Sequence, residues 1–87
     1  MSKVIFENST IETLRKLAAT NPQLVKKIFE LIDDIIKHPF DGLGKPEPLK
    51  HDYKGYWSRR ITGEHRLIYK IDAEKNVIIA ALHGHYS

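Results

Sequence analysis

The sequence predicts an α+β fold, with two N-terminal helices packed on one face of a mainly antiparallel sheet of four to five strands, in the order β-α-α-β-β-β-β. Three observations lead there. Apolar residues recur at helical spacing, first as Ile11, Leu14, Leu17 and Ala18 and then as Leu24, Ile28, Leu31 and Ile35. Beyond Pro48 the pattern changes to β-branched and aromatic runs broken by short turns. Short connections make neighbouring strands antiparallel, and two helices can cover only one face of the sheet. The opposite face stays partly open, so function carried by the sheet belongs there.

Each element has its own signal. Lys3–Phe6 is short, β-branched and aromatic, and predicts a first strand. Ser9-Thr10-Ile11-Glu12 has the form of a capping box, with Ser9 as N-cap and Glu12 three residues on. The first helix stops near Thr20-Asn21-Pro22, because Pro22 forbids continuation. The same proline suits the first position of a second helix capped by Asn21. In that helix Val25, Ile32 and Ile36 widen the apolar stripe, and Lys26, Lys27, Glu30, Asp33 and Asp34 fall outside it. It ends near Lys37-His38-Pro39. Two glycines and two prolines mark 40–48 as an ordered loop. Leu49–His51 then reads as a short strand, 52–55 as a turn, Tyr56–Ile61 as a strand and Gly63 as a turn. His65–Ile71 is a further strand, 72–76 a turn and Val77–His85 the last strand.

Eighty-seven residues make one small domain, 1–87, with a modest core. There is no Cys, which excludes a disulfide framework and a cysteine-based zinc site. No apolar run approaches the ~20 residues of a membrane span. Lys3 is followed only by Val4-Ile5-Phe6, too short for the apolar region of a signal peptide. A soluble, cytoplasmic protein with no membrane partner is expected. The net charge of +3 is unevenly placed: residues 1–43 balance, whereas 44–87 hold eight Lys/Arg against five Asp/Glu, with four of the five histidines. Tyr53, Tyr56, Trp57, Tyr69 and Tyr86 lie among these charges. Basic groups interleaved with aromatics suit single-stranded nucleic acid, although +3 is also an ordinary solubility charge.

Few residues here can do chemistry. Glu47 lies between Pro46 and Pro48, which stiffen the backbone on both sides. A carboxylate on such a stalk loses little entropy when positioned, as a general base requires, but spacing alone favours a solvated loop glutamate. Arg59, Arg60 and Arg66 flank a hairpin. An even-numbered turn puts Arg59 on the face of Arg66, whereas an odd loop such as Thr62-Gly63-Glu64 puts Arg60 there. Two guanidiniums on one open face bind a phosphate; the alternative is two surface arginines paired with Glu64 and Asp72. His83 and His85 alternate along the last strand and share a face. They could hold a metal, but no third ligand is evident, and one histidine as general acid is the better use. Trp57 is expected to pack over the sheet. A carboxylate, one or two arginines and a histidine suffice to cleave RNA without metal or other cofactor, because RNA supplies its own 2′-OH nucleophile.

Four strings carry a more specific signal: Gly44-Lys45-Pro46-Glu47-Pro48-Leu49-Lys50, Trp57-Ser58-Arg59-Arg60-Ile61, Glu64-His65-Arg66-Leu67-Ile68-Tyr69 and His85-Tyr86. In this order and spacing they resemble the YoeB/Txe family of bacterial toxins, within the wider RelE-like group of microbial-RNase-like folds. The resemblance runs from Val25 to the C-terminus. It implies a ribosome-dependent endoribonuclease that enters the A site and cuts mRNA within the exposed codon. By motif, Glu47 is then the general base, His85 the general acid, Arg66 the group stabilising the phosphorane, and Tyr86 a residue that positions RNA. Lys50 and Arg60 would contact phosphate, with Arg59 and His83 beside them. Shared use of Arg60 and Arg66 requires the odd loop. The implied partners are the ribosome with its mRNA, a cognate antitoxin of the YefM/Axe kind, and a second copy of the chain.

Overall fold

The computed structural model describes residues 3–84. The chain runs β1 (Val4–Phe6), α1 (Asn8–Thr20), α2 (Pro22–Lys37), β2 (Glu47–Pro48), a short 3-10 turn at His51–Tyr53, β3 (Trp57–Arg60), β4 (Arg66–Ile71) and β5 (Val77–His83). The strands form one sheet in the order β1-β5-β4-β3-β2. All neighbours are antiparallel except β1 and β5, which are parallel because the two helices intervene between β1 and the rest of the sheet. The predicted architecture holds. No helix among the described residues is long and apolar enough to cross a membrane.

The core lies between the helices and one face of the sheet. Leu17 of α1 and Leu24, Ile28, Leu31 and Ile35 of α2 pack against Leu67, Tyr69, Val77 and Ile79. Strand alternation with the observed pairing also places Trp57 and Arg59 on this side, and Ser58, Arg60, Arg66, Ile68, Lys70 and His83 on the other. Trp57 packs as expected, its ring 4.9 Å from that of Phe40.

The starts of the helices divide the expectations. Asn21 caps α2 through its side chain, which accepts from the Leu24 amide at 3.3 Å, with Pro22 in the first turn. Ser9 is not the cap of α1. The Glu7 amide donates to the Ile79 carbonyl at 3.0 Å, so the sheet holds the chain up to Glu7 and the helix begins at once at Asn8. Thr10 then donates its hydroxyl back to the Glu7 carbonyl at 2.6 Å. Glu12, freed from any capping role, makes an exposed 3.7 Å pair with Arg15.

The short strand expected at Leu49–His51 forms two residues earlier. Glu47 pairs with Ser58 and Pro48 with Trp57, while His51, at φ 58°, already turns the chain away. Pro48 is tolerated because β2 is an edge strand.

Candidate active site

The hairpin register decides which arginine joins the open face. Arg60 pairs with Arg66, and Arg66 in turn with His83, so these three residues form one row across β3, β4 and β5. The loop is odd, closed by the Ile61 amide donating to the His65 carbonyl at 2.9 Å. Among the described residues neither arginine is ion-paired with Glu64 or Asp72. The Asp72 carboxylate instead accepts from the amides of Asn76 at 2.8 Å and Glu74 at 2.9 Å, which hold it below the usual carboxylate range.

The two arginines differ in exposure. Arg66 is half-buried, and its Nη1 donates to the carbonyls of Thr62 at 3.1 Å and of Gly63 and His65 at 3.3 Å. Those contacts anchor the guanidinium through Nη1. Arg60 is exposed.

Glu47 reaches the same face from the next strand. It pairs with Ser58, two residues before Arg60, so its side chain shares the face of Ser58, Arg60 and Arg66. Two strands across and two residues along set its Cα about 12 Å from that of Arg66, within reach of one phosphodiester for two extended side chains. The carboxylate is exposed. Lys50 follows on the same edge, exposed, just before the 3-10 turn. His83 ends β5, its ring centroid 6.4 Å from that of Tyr53. His85 and Tyr86 lie outside the described residues.

Arg59 requires correction. It was expected beside the phosphate-binding residues, but it points to the helix face and is 0% exposed. Its Nε donates to the Tyr69 hydroxyl at 3.2 Å; Nη1 donates to Asp34 Oδ2 at 2.5 Å and the Leu43 carbonyl at 3.0 Å. Nη2 donates to the Asp41 carbonyl at 2.7 Å and to the His38 carbonyl. All five N–H donors are used, so none is left for RNA. The Tyr69 hydroxyl donates onward to the Pro39 carbonyl at 2.7 Å, and burial pushes its pKa up. The Arg59 hydrogen bond, then the Leu43 amide, hold the Asp34 carboxyl below its ordinary value.

This hub fastens the loop that leads to Glu47. The Gly44 carbonyl accepts from the Arg60 amide at 2.6 Å, so the chain is pinned to β3 just before Lys45-Pro46-Glu47. Gly44 has φ +78°, and a Cβ there would meet the Arg60 carbonyl at 2.9 Å and Arg59 Cβ at 3.2 Å. Gly44→Ala is therefore expected to cost about 1–3 kcal/mol, read as a lower midpoint in urea. An unchanged midpoint would mean that the loop relaxes without strain.

Two residues near the site have surroundings that the sequence pattern does not disclose. Asp34 falls outside the apolar stripe of α2, yet it is the counter-ion of Arg59. Tyr53 lies in the turn that the sequence predicts and is one of the aromatics set among the basic groups; the fold makes it a wall of a hollow of about 330 Å³ with Leu49, Ser58, Arg66, Ile68 and His83. A buried arginine implies an acidic partner, but nothing in the strand pattern says which.

Comparison with known proteins places this arrangement. The family model described as the YoeB-like toxin of bacterial type II toxin–antitoxin systems matches residues 6–86. Toxin YoeB of Escherichia coli K12 is 46% identical over 84 residues, covering 97% of this chain and 99% of its own. Among solved structures, a YoeB/ParE toxin from Agrobacterium tumefaciens superposes with TM-score 0.90 at 40% identity, covering 97% of this chain and 99% of its own. YoeB from Staphylococcus aureus superposes with TM-score 0.88 at 38% identity in a YoeB–YefM complex, covering 99% of each chain. As a dimer it superposes with TM-score 0.87 at 37% identity, covering 98% of each chain. With matches of this extent, the chain belongs to the YoeB-like toxins of bacterial type II toxin–antitoxin systems.

Proposed function

We propose that this toxin is a ribosome-dependent endoribonuclease, acting in the cytoplasm, that cuts mRNA in the A site by metal-independent acid–base chemistry. The observation that carries the reading is the row Arg60–Arg66–His83 beside the proline-braced Glu47 on the open face. Glu47 takes the proton of the 2′-OH, and the 2′-oxygen attacks the adjacent phosphorus. Arg66 neutralises the charge that builds on the phosphorane. The P–O5′ bond breaks, and His85 protonates the departing 5′-oxygen, leaving a 2′,3′-cyclic phosphate and a 5′-hydroxyl. Tyr86 positions the RNA, and Lys50 and Arg60 hold neighbouring phosphates, with His83 at the edge. The proposed protein partner is an antitoxin of the YefM/Axe kind, supported by the staphylococcal complex; a second copy of the chain is supported by the staphylococcal dimer.

Primer extension on a translated mRNA tests the reading. Wild type should give new ends inside the codon at the A site, and His85→Ala should give none. Intact message under full growth arrest would overturn the proposal in favour of a toxin that only occupies its target. The two arginines should separate in the same assay. Arg66→Ala, which removes a fixed donor, is expected to lower the single-turnover rate about 10²–10³-fold. Arg60→Ala should chiefly weaken RNA association and lower the slope of log K against log[salt] by about 1. Equal effects on rate and affinity at both positions would remove the distinction.

A further inference from the structure

We propose that the hollow between Tyr53 and Arg66 is a nucleobase subsite, taking the base of a nucleotide next to the phosphate held by Arg66. The proposal rests on the ribonuclease reading and adds where a base, rather than a phosphate, is received.

The lining is wrong for phosphate alone. The hollow is about 330 Å³, at the small end of ligand sites, and Leu49 and Ile68 give it apolar surface. Ile68 is buried but stands apart from the core cluster between helices and sheet; it belongs to the other face. A phosphate gains nothing from such surface, whereas a base has two apolar faces and a polar edge. Ser58 can meet that edge as donor or acceptor, and the Arg66 guanidinium lies beside it.

Tyr53 is built as a wall. Its ring meets Tyr56 edge-on at 6.0 Å and 84°, and His83 edge-on at 6.4 Å and 84°. Tyr56 is itself braced by the Lys70 ammonium, 4.9 Å from its ring centroid. The turn beneath is closed by the Tyr53 amide donating to the Lys50 carbonyl at 3.2 Å and the Lys54 amide donating to the His51 carbonyl at 3.1 Å. Tyr53 nevertheless remains 46% exposed. A large aromatic held in place yet half open, on the face that carries the arginines, is a stacking surface whose ordering cost is already met. Because Ser58 offers both hydrogen-bonding senses, the subsite should accept any base and gain mainly from stacking.

The test uses a trinucleotide RNA carrying 2-aminopurine next to a 2′-deoxy position that blocks cleavage, and its abasic counterpart. Wild type should quench the fluorophore and bind the full trinucleotide about tenfold or more tighter than the abasic one. Tyr53→Ala should bind both equally and weakly, and Tyr53→Phe should keep the preference. Equal binding of both probes by wild type, or no binding of either, overturns the subsite without reference to any variant. Cleavage of the all-ribose message separates the two proposals. Cutting without base dependence leaves the enzyme and removes the subsite, whereas base-dependent binding without cutting leaves the subsite and removes the enzyme.

Discussion

Replacing Arg59 by methionine should remove about 3–5 kcal/mol of stability, because it strips the counter-ion from a partly buried carboxylate and a donor from three backbone carbonyls. A small domain has about 5–15 kcal/mol in all, so the variant sits near the edge of folding. Lysine should not rescue it: an ammonium has three donors around a point charge, whereas the site uses five in a planar fork. The lone tryptophan, Trp57, packs on Phe40 and reports unfolding in urea by its fluorescence. The same hub sets an acid dependence. The Asp34 carboxyl is held below its ordinary value by Arg59 and the Leu43 amide. A carboxyl depressed on folding contributes stability that is complete above its unfolded value, about 3.9, and that is lost as pH falls through the folded value. Wild type should therefore lose stability below about pH 4, and Asp34→Asn should start less stable and lose less there. A methionine variant with the wild-type midpoint would show that the hub is incidental.

The reach of the sequence follows from how local each signal is. Asn21-Pro22 sets the start of α2 within a few residues, so it was legible, as was the stripe that packs α2 on the sheet. Ser9 misled because its box is local in form but was overruled by a distant bond, the Glu7 amide on the Ile79 carbonyl. The hairpin left two registers open, since Gly63 fits either, and tertiary pairing of Arg60 with Arg66 chose between them. Arg59 shows the limit most sharply. Alternation correctly separates it from Arg60, yet nothing in the string Ser58-Arg59-Arg60 says that the arginine facing inward finds Asp34 and the loop carbonyls waiting. Glu47 was legible through its two prolines, and its place beside Ser58 on the open face came only with the pairing of β2.

Glu47→Gln should lower the cleavage rate about 10²–10⁴-fold, the usual worth of a positioned general base, while leaving the fold intact. Glutamine keeps the size and the hydrogen-bonding reach of the side chain but cannot take the 2′-OH proton. The position is exposed on an edge strand, and both flanking prolines remain, so stability should move by no more than about 0.5 kcal/mol. That separation makes the variant informative: a rate lost with an unchanged urea midpoint assigns the loss to chemistry. Ribosome association should persist, because the cationic row Arg60–Arg66 and Lys50 are untouched. Cleavage at the wild-type rate would remove Glu47 as the base and leave its prolines as ordinary bracing of an edge strand. Lost cleavage with undiminished growth arrest would instead mean that binding, not the acid–base pair, is what harms the cell. In that case the cut made through Glu47 would be incidental to the harm, and the cationic groups Arg60, Arg66 and Lys50 that grip the backbone would carry it.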